Sequence, residues 1–239
     1  MIRFAKLVMA FLAVALVAFP TISSALPTAT FALTSDHCTN TCAGGPTPQT
    51  QFGQIVVTDE GGGTLDFLAT LSNGNEFTNT GFPLTVGFNL VGISAITYSN
   101  DPLDSLTAGW GIPDAFGGGA NQQDANTYHQ DGTGDFQYGV LWGQQGGGHG
   151  TAGPLSFDIS ATGLTLASLA KNTNGQYFAV DIISGTNGNT GNVDASTVTS
   201  SSCTPPNCPV GLVIPEPASA ALVGLALLGL GFVRRQRPH

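Results

Sequence analysis

Asp131 and Asp135 flank a glycine-rich stretch, Asp131-Gly132-Thr133-Gly134-Asp135, with Asp124 a few residues upstream. Carboxylate and carbonyl oxygens in a flexible turn are the ligands that calcium prefers. Calcium at Asp131 and Asp135 is therefore the one metal expectation, set against a plain solvated acidic turn. The stretch lacks the acidic spacing and terminal Glu of an EF-hand loop. It also matches the Gly-Gly-x-Gly-x-Asp nonapeptide poorly, and only once. No other cofactor is implied.

Catalytic chemistry is sparse. Of four histidines, His37, His129 and His149 precede residue 213 and His239 ends the chain. There is no Gly-x-Ser-x-Gly elbow, no His-Glu-x-x-His zinc helix, and no Gly-Lys-Ser/Thr after a glycine run. Glu60 and Glu76 both stand beside turns, and no two aspartates are marked as an opposed glycosidase pair. A non-enzyme is expected. Residues 101–135 and 143–153 are longer than ordinary turns and are where binding would sit. Trp110, Tyr128, His129, Trp142 and His149 lie in or beside them. An exposed aromatic there could stack on a sugar; the competing reading has Trp110 and Trp142 closing the ends of the core.

The elements that must position these residues are strands. Residues Leu65, Phe67, Ala69 and Leu71 alternate with polar neighbours, as do Val86-Phe88-Leu90, Phe136-Tyr138-Val140, Leu155-Phe157-Ile159 and Phe178-Val180-Ile182. Such alternation predicts half-buried strands. Residues 52–58 read as another strand, joined to the Leu65 strand through the hairpin Asp59-Glu60-Gly61-Gly62-Gly63, and residues 93–98 and 193–199 complete about eight. Only residues 164–171 look helical. Glycine supplies 33 of 239 residues, about twice the usual share. Many short strands between Gly/Asn turns predict an all-β, antiparallel β-sandwich, jelly-roll-like in plan. A β-solenoid would need a fixed-period repeat, which is absent.

Both ends carry address labels. Arg3 and Lys6 precede an apolar stretch, residues 7–19, then Pro20 and Ser23-Ser24-Ala25. That is a secretory signal peptide, residues 1–25, with cleavage expected after Ala25. At the other end, Pro215-Glu216-Pro217 precedes an uncharged apolar run, residues 218–233, followed by Arg234, Arg235 and Arg237. Sixteen residues span about 24 Å as a helix, a little short of a ~30 Å hydrocarbon core. Val213 and Ile214 or local thinning can supply the rest. The arginines stop the helix on the cytoplasmic side, so everything before Pro215 is placed outside.

Between these signals, residues 26–212 form one domain-sized body holding a single base, Lys171, apart from histidines, against fourteen acids. Its formal charge is about −13, compared with −9 for the whole chain. No basic surface is available for phosphates, so nucleic acid and anionic lipid are excluded as partners. Four cysteines form two close pairs, Cys38/Cys42 and Cys203/Cys208. An even count in an exported chain predicts disulfides, and local pairing is preferred over the two crossed connectivities. A zinc site from His37, Cys38 and Cys42 is the rival.

The order Pro-Glu-Pro, apolar helix, arginine cluster over residues 213–239 resembles the PEP-CTERM sorting signal of Gram-negative bacteria, also catalogued under an ice-binding label that assigns no activity. The stretch Ser35-Asp36-His37-Cys38-Thr39-Asn40-Thr41-Cys42 is similar to the opening of one group of such proteins, whose body has no assigned activity. The resemblance implies cutting near Pro215-Glu216-Pro217 by an exosortase-type membrane protease. It also implies residence in the inner membrane before cutting, then placement at the cell surface or in an exopolysaccharide or biofilm matrix. A structural or interaction protein is thus the leading expectation. A carbohydrate- or calcium-dependent binding module comes next, and a polysaccharide-active enzyme third.

Overall fold

In the computed structural model, residues 25–44, 48–80, 84–93, 95–99, 128–142, 148–203 and 206–209 are described. Residues 1–24 of the expected signal peptide, the expected sorting tail with its apolar run, Trp110 and Asp124 all lie outside them. Among the described residues no helix is long and apolar enough to cross a membrane.

The body is all-β and antiparallel. One sheet runs in the order β15 (Val198–Ser201), β1 (Thr28–Leu33), β3 (Gly53–Gly61), β4 (Thr64–Leu71), β11 (Leu155–Ser160), β7 (Thr97–Ser99). The second runs β10 (Tyr138–Val140), β6 (Val86–Leu90), β13 (Phe178–Ile183), β14 (Thr190–Ala195), β2 (Ser35–Cys38). Two short strands join it, β5 (Glu76–Phe77) beside β13 and β12 (Leu169–Ala170) beside β6. A separate hairpin pairs β8 (Tyr128–Gln130) with β9 (Gly134–Phe136).

Period-2 alternation turns one face of each sheet inward. Leu65, Phe67 and Ala69 of β4 face the core with Leu155, Phe157 and Ile159 of β11, directly opposite in register. Phe67 stacks on Phe157 at 4.8 Å and meets Phe88 of the second sheet at 5.2 Å and Phe178 at 6.2 Å. Each such ring contributes about 1.5–3 kcal/mol of burial energy.

Several expectations change. Residues 193–199 are not one strand: β14 belongs to the second sheet and β15 to the first, with the chain turning over at residues 196–197. The same crossing happens at Thr34, between β1 and β2. The crossing segments pair with each other, β1 with β15 at Ala29, Thr30 and Phe31 and β2 with β14 at all four of its residues, and the Thr34 N–H donates to the Asp194 carbonyl at 2.9 Å. Apolar alternation cannot reveal this, because both halves bury one face.

The strand expected over residues 52–58 extends to Gly61, so the five-residue connection shrinks to Gly62-Gly63, with an irregularity between Asp59 and Gly61. Residues 93–98 yield only Thr97–Ser99, and the helix expected over residues 164–171 is one 3-10 turn, Leu166–Ser168, followed by β12. Phe136 and Tyr138 do not share a strand. The chain breaks at Gln137, whose N–H donates to Asn89 Oδ1 at 2.7 Å, and the two rings enter separate apolar clusters. Strands β6 and β13 are buried on both faces over most of their length rather than one. The long loop expected over residues 101–135 ends in the β8–β9 hairpin, which lies on that second face.

Candidate functional site

Both cysteine pairs are local disulfides, Cys38–Cys42 with Cα atoms 5.4 Å apart and Cys203–Cys208 at 5.5 Å. The zinc alternative falls with them, since two sulfurs bonded to each other cannot act as thiolate ligands. Asp36 organises the first loop. Its Oδ1 accepts the Cys38 N–H at 3.0 Å, its Oδ2 accepts the Cys42 and Ala43 N–H groups at 2.9 Å each, and the Thr41 hydroxyl donates to it as well. Burial alone would raise the Asp36 carboxyl. The Thr41 hydroxyl and the N–H groups of Cys42, Cys38 and Ala43 outweigh it and hold the group below the ordinary 3.8.

Asp131 and Asp135 fall on one hairpin, with His129 between them. His129 lies opposite Asp135 in register, with Nδ1 2.8 Å from Asp135 Oδ1 and Nε2 3.8 Å from Asp131 Oδ1. All three side chains are largely exposed. Exposed pairs of this kind contribute well under about 1 kcal/mol each. The two carboxylates address opposite edges of one imidazole.

The hairpin packs on the outer face of the second sheet. There, register aligns Gly139, Gly87 and Ala179 in a row of minimal side chains. A Cβ on Gly87 would come within 3.0 Å of the Phe136 ring, so only glycine allows this approach. Leu84, Phe136 and Ala179 form a small apolar cluster with Tyr128 against it. Polar ties complete the docking: Gln130 Nε2 donates to the Leu84 carbonyl at 2.9 Å, Asn172 Nδ2 to Thr133 O at 2.8 Å, and Asn192 Nδ2 to Asp131 O at 3.2 Å. Gly132, with φ +77°, rests on the His37 ring, where an added Cβ would lie 2.8 Å from Nδ1.

Beneath the hairpin tip and alongside it lie Asp181, Asn192 and Asp194, all buried. The Asp181 carboxylate accepts the Thr80 N–H and hydroxyl. His37 Nε2 is 2.8 Å from Asp194 Oδ2. Asp194 Oδ1 and Asn192 Oδ1 are buried with no hydrogen-bond donor among the described residues. Sequence reading missed Asn192, Asp194 and Asp181, because polar residues alternating with Val193 or Val180 look like a solvent face.

Trp142 is buried and packs on Phe77 at 5.1 Å, so it closes the core and is not a sugar platform. On the outer face of the first sheet, Asp66 stands directly opposite Asp158. Burial, then the Asp158 carboxylate and more weakly Glu60, pushes the Asp66 carboxyl above 3.8 against a pull from the Ser156 hydroxyl.

Residues 213–236 match the PEP-CTERM protein-sorting motif family. The chain carries that motif, which marks an exported protein processed at the membrane by an exosortase. No curated protein and no solved structure matches the chain.

Proposed function

We propose that this is a structural or interaction protein of the cell surface or exopolysaccharide matrix. It is held in the inner membrane by residues 218–233 until an exosortase-type protease cuts near Pro215-Glu216-Pro217. The motif match at residues 213–236 carries this reading. Two local disulfides and a body with almost no basic residues suit an oxidising, extracellular setting. Replacing Glu216 by Ala should leave uncut precursor in the membrane fraction and deplete the matrix fraction. Normal release of that variant would overturn the reading.

A carbohydrate- or calcium-dependent binding module is the second reading. It is favoured by the exposed Asp131–His129–Asp135 arrangement and a neighbouring groove of about 310 Å³ lined by Asp135, Gln137, Lys171 and Asn172. Binding of matrix polysaccharide that a chelator abolishes would favour it. Polysaccharide turnover by the purified body would support the third reading, an enzyme.

A further inference from the structure

Two buried aspartates share the outer face of the second sheet. Asp181 is opposite Asn192 in register, and Asp194, opposite Ala179, is its diagonal neighbour. Buried carboxylates are tolerated only when paired, hydrogen-bonded or metal-bound. The body has very little with which to pair them, since residues 26–212 contain one lysine, no arginine and three histidines. Lys171 is engaged elsewhere, 5.2 Å from the centre of the Tyr177 ring. His129 sits on the hairpin surface between Asp131 and Asp135. His37 reaches Asp194 but meets only Oδ2.

What remains is a matched set of demands. Among the described residues Asp194 Oδ1 has no donor, and neither does Asn192 Oδ1 two residues away on the same face of β14. Asn192 is fixed in this sense, because its Nδ2 is spent on the Asp131 carbonyl of the hairpin tip. A carboxylate oxygen and an amide oxygen, both buried and both acceptor-only, ask for a hard cation.

We propose that one hard cation of the calcium class binds beneath the β8–β9 hairpin, held by Asp194 Oδ1 and Asn192 Oδ1. His37 orients Asp194 through its other oxygen. The site differs from the exposed Asp131/Asp135 pair, which His129 already engages, and it does not depend on how the tail is processed. The ion offsets buried negative charge, and through Asn192 and Asp131 it fastens the hairpin to the sheet.

The test compares melting curves of chelator-treated protein with and without millimolar calcium, alongside elemental analysis of bound metal. Wild type should bind about one calcium per chain and melt roughly 5 °C higher with the ion. The Asp131→Asn/Asp135→Asn double variant should keep that rise, and Asp194→Asn should lose it. Because Asp194→Asn also alters the His37 contact, Asn192→Ala provides a second arm. It leaves the Asp194–His37 pair in place and should weaken calcium binding at least tenfold. A rise that survives both Asp194→Asn and Asn192→Ala would overturn the proposal. So would a rise lost only in the hairpin double variant. A wild type with neither calcium nor a shift would also overturn it, leaving the two oxygens to buried water.

Discussion

His37 Nε2 lies 2.8 Å from Asp194 Oδ2, across 157 positions of sequence, and the Asp194 side chain has no exposed surface while His37 keeps 31 % of its own. The contact joins β2 to β14 at the place where the hairpin tip rests. Removing the imidazole leaves a buried carboxylate without its partner. Truncations of that kind typically cost ~3 kcal/mol or more for full burial, so His37→Ala should lower stability by about 2–3 kcal/mol in chemical denaturation. His37→Gln, which retains a donor, should recover part of the loss. Equal stability of wild type and His37→Ala would remove the contact from any structural role.

Gly132 tests the docking itself. A side chain there meets the His37 ring and an unfavourable positive φ together. Gly132→Val should speed amide hydrogen exchange across residues 128–136 and leave β4 and β11 protected. Unchanged exchange in the hairpin would show that the tip is not held as described.

Much of the first sheet was legible from sequence. Thr64–Leu71 and Leu155–Ser160 announce themselves by strict alternation, because their outer faces meet water. The second sheet was harder, since Gly87, Ala179, Asp181 and Asp194 are buried on the face that alternation assigns to solvent. The hairpin over residues 128–136 was hidden by its own polarity: Gln130 and Thr133 are buried through hydrogen bonds, not through apolar character. The disulfide pairing followed from close spacing and export. The Asp194–His37 contact has no local signal, because it depends on the crossings from β1 to β2 and from β14 to β15 between the sheets.

Two aspartates should shift stability with pH in opposite directions. Asp36 titrates below 3.8 when folded, so its contribution is complete above that pH and is lost as pH falls through the folded value. Asp36→Asn should therefore destabilise at neutral pH, with the gap closing in acid. Asp66 titrates above 3.8 when folded, so stability declines as pH rises from 3.8 through the folded value. Asp66→Asn should raise the melting temperature at pH 7 and have little effect near pH 3. Melting curves of both variants from pH 3 to 7 check the signs, and parallel profiles would contradict them.

The disulfides close short loops, with sequence separations of 4 and 5. The chain-entropy relation gives about 2 kcal/mol for loops of that size. Cys203→Ser/Cys208→Ser should cost roughly that much and leave the fold intact. Cys38→Ser/Cys42→Ser should cost more, because the N–H groups of the loop are arrayed around Asp36. Denaturant titration of the two double variants distinguishes them, and equal losses would contradict the ranking.

The intact mass of the protein recovered from the cell surface or culture medium tests export and tail processing together. The expected mass lacks the leader up to about Ala25 and the tail from near Pro215, and is four hydrogens lighter than the reduced chain. A mass that retains residues 218–239, or that shows four free thiols, would contradict the reading of this chain as an exosortase-processed, disulfide-closed surface protein.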